Sequence, residues 1–201
     1  MAVRLGARTP GLRYCRGVGS GGGGERQWDD ADEPVQVCQY DPEWPTRFDD
    51  EQHLLQQALG EFVTGGIHHV GSTSVPGLDS KPIIDILAGV RDLGSTRPCI
   101  GLVAPLGYLY APYRADEMHW FCKPHPSRRT HHLHLVPVTS ARFHDELRFR
   151  DYLRSHRQVR AEYARLKHNL AERFRWDRDA YTQSKTAFVQ DILRRAAATT
   201  G

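Results

Sequence analysis

Residues 69–90 read HVGSTSVPGLDSKPIIDILAGV, and this stretch decides the fold. Its second part, residues 83–90, is almost continuously apolar, which is typical of a central β-strand covered on both faces. Asp85 is the one ionisable residue in that run, and a carboxylate without a partner there would cost several kcal/mol. The sequence therefore predicts that Asp85 meets a metal ion, a basic group or a ligand near the edge of the sheet.

A hydroxyl-rich turn lies between a predicted strand at residues 67–70 and the apolar run. Gly71 opens this turn, and its missing side chain lets the backbone approach a ligand closely. The next three residues offer hydroxyl groups and backbone amides to anionic oxygens: Ser72, Thr73 and Ser74. Lys81 adds a cation immediately before the apolar strand. We therefore expect the turn and Lys81 to bind phosphate.

Two histidines follow on a later predicted strand at residues 130–138. His132 and His134 are two residues apart, so their side chains point to the same face of that strand. Together with Asp85 they would form a set of two imidazoles and one carboxylate, which suits Zn²⁺, Mn²⁺ or Fe²⁺ better than Mg²⁺. The alternative is that both histidines line a cleft and donate hydrogen bonds to phosphate or sugar.

Two further cations are candidate phosphate ligands. Lys185 lies on the last predicted helix, one turn from Tyr181, and an inward-facing lysine there needs a partner. Arg114 precedes the acidic residues 116 and 117 in a predicted loop. The alternative for both residues is a solvated surface cation.

The remaining pattern predicts an α/β (α+β) fold, a mixed β-sheet flanked by helices with a C-terminal helical segment. A first helix is expected over residues 45–59, and a strand pair over residues 107–113 and 118–123. Three amphipathic helices are then expected at the C-terminal end: residues 143–155, 157–174 and 179–197.

The chain has 201 residues, which is room for one domain. Residues 1–34 contain a glycine-rich run and little apolar surface, and we expect them to form a disordered tail before a domain at residues 35–197. Four scattered cysteines indicate a reducing cytoplasm rather than a disulfide framework or a zinc ribbon.

Composition also limits the partners. A formal net charge of +3 is too small to indicate a nucleic-acid-binding protein, and acids alternate with the arginines of residues 148–165 as on a solvated helix face. No apolar run approaches the ~20 residues that a membrane span requires. The expected partner is a small-molecule nucleotide or phosphate ligand, and the sequence carries no indication of oligomeric state.

The string at residues 69–78, followed by KPIIDI at residues 81–86, closely resembles the signature of the GrpB family. The resemblance extends from about residue 35 to residue 193 and includes three further segments: YDPEW at 40–44, RDYLR at 150–154 and YTQSK at 181–185. It implies a fold like that of the nucleotidyltransferase superfamily, in which Gly-Ser precedes a strand with two alternating acids. Gly71, Ser72 and Asp85 fit that pattern, but Leu87 stands where the second acid would be.

The resemblance implies a protein that binds a nucleotide or phosphorylated small molecule with a divalent metal ion (Mg²⁺, Mn²⁺ or Zn²⁺) and transfers a nucleotidyl group. Asp85, Ser72 and Lys81 would then be the catalytic residues. Leu87 keeps two alternatives open because classical transfer uses carboxylates to hold two Mg²⁺ ions. The first is a ligand-binding module that has lost catalysis, and the second is a metal-dependent hydrolase that uses Asp85, His132 and His134.

Overall fold

The computed structural model describes residues 33–198, so the tail predicted at residues 1–34 lies almost wholly outside the described residues. The N-terminal part contains two helices and five strands in chain order: α1 (Trp44–Leu59), β1 (Val63–Val70), β2 (Ile84–Val90), α2 (Cys99–Val103), β3 (Leu109–Ala111), β4 (His119–Pro124) and β5 (Arg129–Pro137). Four helices follow: α3 (Ala141–Ser155), α4 (Arg157–Arg173), α5 (Arg178–Gln183) and α6 (Thr186–Ala198).

The five strands form one mixed sheet in the order β1-β2-β5-β4-β3. β2 and β5 are parallel, whereas the other neighbouring pairs are antiparallel. β2 lies inside the sheet, and both Ile86 and Leu87 are fully buried, as expected for a strand covered on both faces. The predicted α/β (α+β) fold, a mixed sheet flanked by helices, is therefore confirmed. The closer likeness to nucleotidyltransferases stays a prediction.

Each face of the sheet has its own apolar core. On one face, Ile86 of β2 and Leu133 of β5 pack with Trp44 and Phe48 of α1. On the opposite face, Leu87 packs in a cluster whose other members include Val136, Trp120 and Phe143. Because side chains alternate along a strand, Asp85, His132 and His134 belong to this second face.

The C-terminal helices cover the segment that joins β1 to β2. Val75 and Leu78 from this segment pack with Tyr163 of α4 and Ile192 of α6. The last predicted helix is in fact divided into α5 and α6, and the break falls at residues 184–185. Within residues 33–198, no helix combines the length and the apolar composition needed to cross a membrane.

Candidate metal centre and lysine cluster

Asp85 and His132 face each other across the parallel pair of β2 and β5, where they are Cα partners. His132 Nδ1 donates a hydrogen bond to Asp85 Oδ1 at 2.8 Å. Burial is the largest single effect on Asp85 and acts to raise its pKa, but the hydrogen bond from His132 and the nearby charges of His132, His134 and Lys81 together lower that pKa to about 2. Burial lowers the pKa of His132 to about 4. At neutral pH the pair is therefore a carboxylate and a neutral imidazole.

His134 lies two residues further along β5, opposite Leu87 of β2. Its Nδ1 faces Glu146 Oε2 of α3 at 3.4 Å, and Arg142 holds the other oxygen of Glu146 at 3.0 Å. Burial acts to lower the pKa of His134, but the Glu146 carboxylate outweighs burial and raises it. The sequence does not predict Glu146, because an acid on an amphipathic helix is ordinarily a surface residue.

The two imidazoles share one feature. Both Nε2 atoms are buried and have no hydrogen-bond partner among the described residues. One donor atom from each of Asp85, His132 and His134 lies within 4.8 Å of the others. The side chains remain 28 %, 14 % and 14 % exposed, respectively, so solvent reaches the group.

These residues fit a divalent metal ion. A metal-bound histidine usually donates its second ring N–H to a carboxylate, and His134 presents Nδ1 to that of Glu146. The ligands would then be one ring nitrogen of each histidine and the Asp85 carboxylate, with the ion in place of the present hydrogen bond between Asp85 and His132. A set of two imidazoles and one carboxylate suits Zn²⁺ or Mn²⁺ better than Mg²⁺.

Gly71 brings the hydroxyl-rich turn against the Asp85 carboxylate. Its φ of 68° lies in the left-handed region that favours glycine, and a Cβ there would meet Asp85 Oδ2 at 2.3 Å. The next residue, Ser72, lies near Tyr163 of α4, whose pKa it acts to lower against the larger, opposite effect of burial. The sequence predicts a close backbone approach at Gly71, and the group that Gly71 approaches is Asp85.

The hydroxyl groups of Thr73 and Ser74 form hydrogen bonds with other groups of the protein. The Thr73 hydroxyl donates to the Ile83 carbonyl at 3.1 Å and lies 3.0 Å from His69 Nε2. The Ser74 hydroxyl donates to the Gly71 carbonyl at 2.6 Å. These contacts brace the turn, and phosphate binding by Thr73 and Ser74 stays a prediction.

Lys81 and Lys185 contact the same aromatic ring. Their Nζ atoms are 5.1 Å and 4.5 Å from the ring centroid of Tyr181 in α5. Burial and, to a smaller extent, the charge of Lys185 lower the pKa of Lys81 to about 7. Burial likewise lowers the pKa of Lys185 to about 8, against the opposing effect of Asp85. The structure thus brings together two of the predicted phosphate ligands.

Lys167 of α4 is a third member of this group. It is almost fully buried, donates to the backbone carbonyl of Asp79, and lies 4.7 Å from the ring centroid of Tyr163. Burial lowers its pKa to about 7, and Lys185 and Lys81 add to that effect. The sequence does not predict Lys167, because a lysine in mid-helix is typical of a solvated face. Lys81, Lys167 and Lys185 are called the lysine cluster below.

Arg114 has a different environment. Its guanidinium lies 3.5 Å from Glu117, which also pairs with Arg142 at 2.8 Å. These three residues line a cavity of 580 Å³ between the β3–β4 loop, α3 and α6. A phosphate contact by Arg114 stays a prediction, and its present partner is a carboxylate.

Residues 34–195 match the family model described as GrpB protein. The chain belongs to the GrpB family. This GrpB protein is 39 % identical over 181 residues to a UPF0157 protein of Pseudomonas aeruginosa, in an alignment that covers 87 % of this chain and 73 % of the relative. It is 36 % identical over 155 residues to the glutamate-rich protein GrpB of Alkalihalophilus pseudofirmus, covering 75 % of this chain and 88 % of that protein.

A solved structure agrees with this assignment. The crystal structure of the conserved protein GrpB from Enterococcus faecalis superimposes with a TM-score of 0.75 at 32 % sequence identity. The superposition covers 82 % of this GrpB chain and 99 % of the Enterococcus chain. The resemblance of residues 69–86 to the GrpB signature is therefore confirmed.

Proposed function

We propose that this GrpB protein binds a nucleotide or another phosphorylated small molecule together with one divalent metal ion. The observation that carries the proposal is the meeting of two groups around Asp85. One is the metal-binding set that Asp85 forms with His132 and His134. The other is the lysine cluster, all of whose members interact electrostatically with Asp85.

The lysine cluster supports an anionic ligand because its positive charges are crowded. Lys81 and Lys167 each have their pKa lowered by burial and then by Lys185. A phosphate placed among these ammonium groups would stabilise their charged forms and replace the water that burial removes. The electrostatics therefore favour a ligand with more than one negative charge.

The metal ion would supply Lewis-acid polarisation of a phosphoryl oxygen. Glu146 keeps the His134 ring in one tautomer. Lys81 and Lys185 would hold the phosphate oxygens, and Ser72 would contact the ligand from the turn. Gly71 positions that turn by allowing it to approach Asp85.

The side chain of Leu87 favours one class of reaction over another. Nucleotidyl transfer with two Mg²⁺ ions requires a second carboxylate at this position. Leu87 is instead fully buried in an apolar cluster and pairs in register with His134. These contacts favour chemistry at one metal ion, so metal-dependent hydrolysis of a phosphate ester is our second candidate function. Nucleotidyl transfer and binding without turnover are the remaining outcomes of the assay below.

We further propose that the ligand is a small molecule rather than a nucleic acid and that the protein works in the cytoplasm. The described cysteines are free thiols, which is compatible with a reducing compartment: Cys38, Cys99 and Cys122.

Calorimetric titration tests the proposal. ATP, CTP and methyl phosphate are titrated into the protein with Zn²⁺, Mn²⁺ or Mg²⁺, and phosphorus NMR follows any product. We expect metal-dependent binding that Asp85→Asn abolishes and that Lys185→Ala weakens by about tenfold, since a charge-assisted contact contributes on the order of 1.5–3 kcal/mol. Arg165→Ala, which removes an exposed cation from α4, is the matched control. Equal affinity with and without metal would refute the metal-dependent proposal.

A further inference from the structure

A cavity of 320 Å³ lies beside β1, the edge strand of the sheet, between α1 and α3. Its apolar lining includes Phe48 of α1 and Ile67 of β1, which are both buried in the core beneath. Pro45 and Pro76 also line it. This volume lies within the usual range for a small-molecule pocket, roughly 300–1,000 Å³.

Two arginines of α3 form a cationic wall of this cavity. Arg150 Nη1 donates to the His69 carbonyl at 3.2 Å, and Arg154 donates through Nε and Nη2 to the Ser74 carbonyl at 3.0 Å and 2.8 Å. The Arg154 side chain is 42 % exposed, so it can be reached from solvent. Asp151 contacts both guanidiniums from outside the cavity, at 2.7 Å from Arg150 and 3.9 Å from Arg154.

The donor groups on the cavity wall favour an anion. Asp151 is held by two hydrogen bonds from Arg150 and lies 3.9 Å from Arg154, while Asp49, an acid in the lining, is exposed to solvent. Among residues 33–198, Arg154 Nη1 has no polar partner nearer than Asp151 at 3.9 Å, so its N–H groups are available to a ligand. A planar guanidinium recognises carboxylate or phosphate oxygens with paired hydrogen bonds.

We propose that this cavity binds a small molecule in which an oxyanion is attached to an apolar body. The oxyanion contacts Arg154 and Arg150, and the apolar body lies on Phe48 and Ile67. The cavity is formed without Asp85, His132 or the lysine cluster. Its occupancy therefore does not depend on the function proposed for those residues.

The test uses the full-length protein with labelled isoleucine methyl groups. Phenyl phosphate and benzoate are titrated as two oxyanions with the same apolar body, and phenol is the neutral comparison. We expect nuclear Overhauser contacts between ring protons of the probe and the Ile67 methyl groups. We also expect phenol to bind about tenfold more weakly or worse, because it has no charge for the arginines. Binding of only phenyl phosphate or only benzoate would support the site and would show whether it recognises a phosphate or a carboxylate.

Four variants make the test specific. Arg154→Gln is expected to weaken binding about tenfold, whereas Arg157→Gln removes an exposed cation outside the cavity and is expected to leave it unchanged. Should Arg154→Gln not fold, Arg154→Lys retains the charge without the paired geometry and is expected to weaken binding. Lys185→Ala is expected to leave the contacts with the Ile67 methyl groups unchanged, whatever its effect on phenyl phosphate bound at the lysine cluster. Contacts with Ile67 that survive Arg154→Gln at equal affinity, that are lost in Lys185→Ala, or that phenol reproduces at equal affinity would overturn the proposal.

Discussion

Gly71 and Asp85 are in such close contact that no larger residue than glycine fits at position 71. A Cβ at Gly71 would lie 2.3 Å from Asp85 Oδ2 and 2.9 Å from Asp85 Cγ. The φ of Gly71 is also positive, at 68°. The turn can therefore lie against the carboxylate of the candidate metal centre only because residue 71 has no side chain.

Substitution of Gly71 should abolish metal binding, and the loss of affinity should be larger than the loss of protein stability alone explains. Gly71→Ala forces the Asp85 carboxylate away from His132, and the positive φ costs about 1 kcal/mol or more in addition. Gly77→Ala is the matched control, because Gly77 has a φ of 73° but no atom within 4 Å of the position of its Cβ. We expect both variants to lose thermal stability and only Gly71→Ala to lose Mn²⁺ or Zn²⁺ affinity in calorimetry. Equal metal affinity of the two variants would contradict this role.

Acidification should destabilise the protein through three neutral histidines. Burial lowers the pKa of His69, His131 and His132 to about 4. Their folded pKa values lie below the unfolded value of 6.5, so the stabilisation is complete above pH 6.5 and is lost as the pH falls towards 4. At pH 5 the unfolded chain should bind about three more protons than the folded chain from these groups.

The pH dependence of urea unfolding measures this proton uptake. His131→Gln is expected to reduce the uptake at pH 5 to about two protons, since His131 lies on the sheet face opposite His132. His53→Gln is the control, because His53 is an exposed residue of α1. A free energy of unfolding that does not change between pH 7 and pH 5 would show that these imidazoles are not buried in the neutral form.

Phosphate affinity should fall as the pH rises through the lysine pKa values. Lys81 and Lys167 have pKa values of about 7, and Lys185 has one of about 8, because burial disfavours their charged forms. Methyl phosphate is a suitable probe, since its second ionisation, with a pKa of about 6, is nearly complete above pH 7. We expect its affinity to decrease between pH 7 and pH 9 and its binding at pH 8 to take up protons.

Calorimetry in buffers of different ionisation enthalpy detects that uptake. Lys185→Arg keeps a positive charge over this whole pH range and should make the affinity less dependent on pH. An affinity that increases with pH would indicate that the lysine cluster does not bind the phosphate.

Glu146 should act as a positioning residue for His134. Glu146→Gln removes the carboxylate that faces His134 Nδ1, and loss of such a partner typically weakens metal affinity by about 10–100-fold. Asp145→Asn is the matched control, because Asp145 is the preceding residue of α3 and pairs with Arg148 at 3.7 Å. The visible spectrum of the Co²⁺-substituted protein should change in the first variant only. An unchanged spectrum in Glu146→Gln would assign Glu146 to the Arg142 ion pair alone.

The sequence predicts most of the secondary structure because the apolar patterns are strong. β2 follows from the run at residues 83–90, and Asp177 caps α5 by accepting a hydrogen bond from the Ala180 amide, as aspartate commonly does at this position. The break between α5 and α6 is not predicted, because the apolar periodicity continues through residues 184–185.

The sequence predicts which candidate site residues share a face of one strand, but it does not predict how residues on different strands meet. The spacing of His132 and His134 establishes that they share a face, but the pairing of Asp85 with His132 depends on how β2 and β5 align. That alignment is set by packing of the whole sheet and cannot be read from either strand. Lys167 and Glu146 reach the site from helices, where their residue types ordinarily indicate solvent exposure.

The parallel pairing of β2 and β5 places Asp85, His132 and His134 on one face of the sheet only when Leu133 and Leu135 are buried on the other. Leu133 and Leu135 alternate with His132 and His134 and are fully buried on the opposite face. A slip of one residue in β5 would place two leucines beside Asp85 and two imidazoles against α1. The chain therefore cannot misalign these strands and remain stable, so every molecule that folds also assembles the three donors.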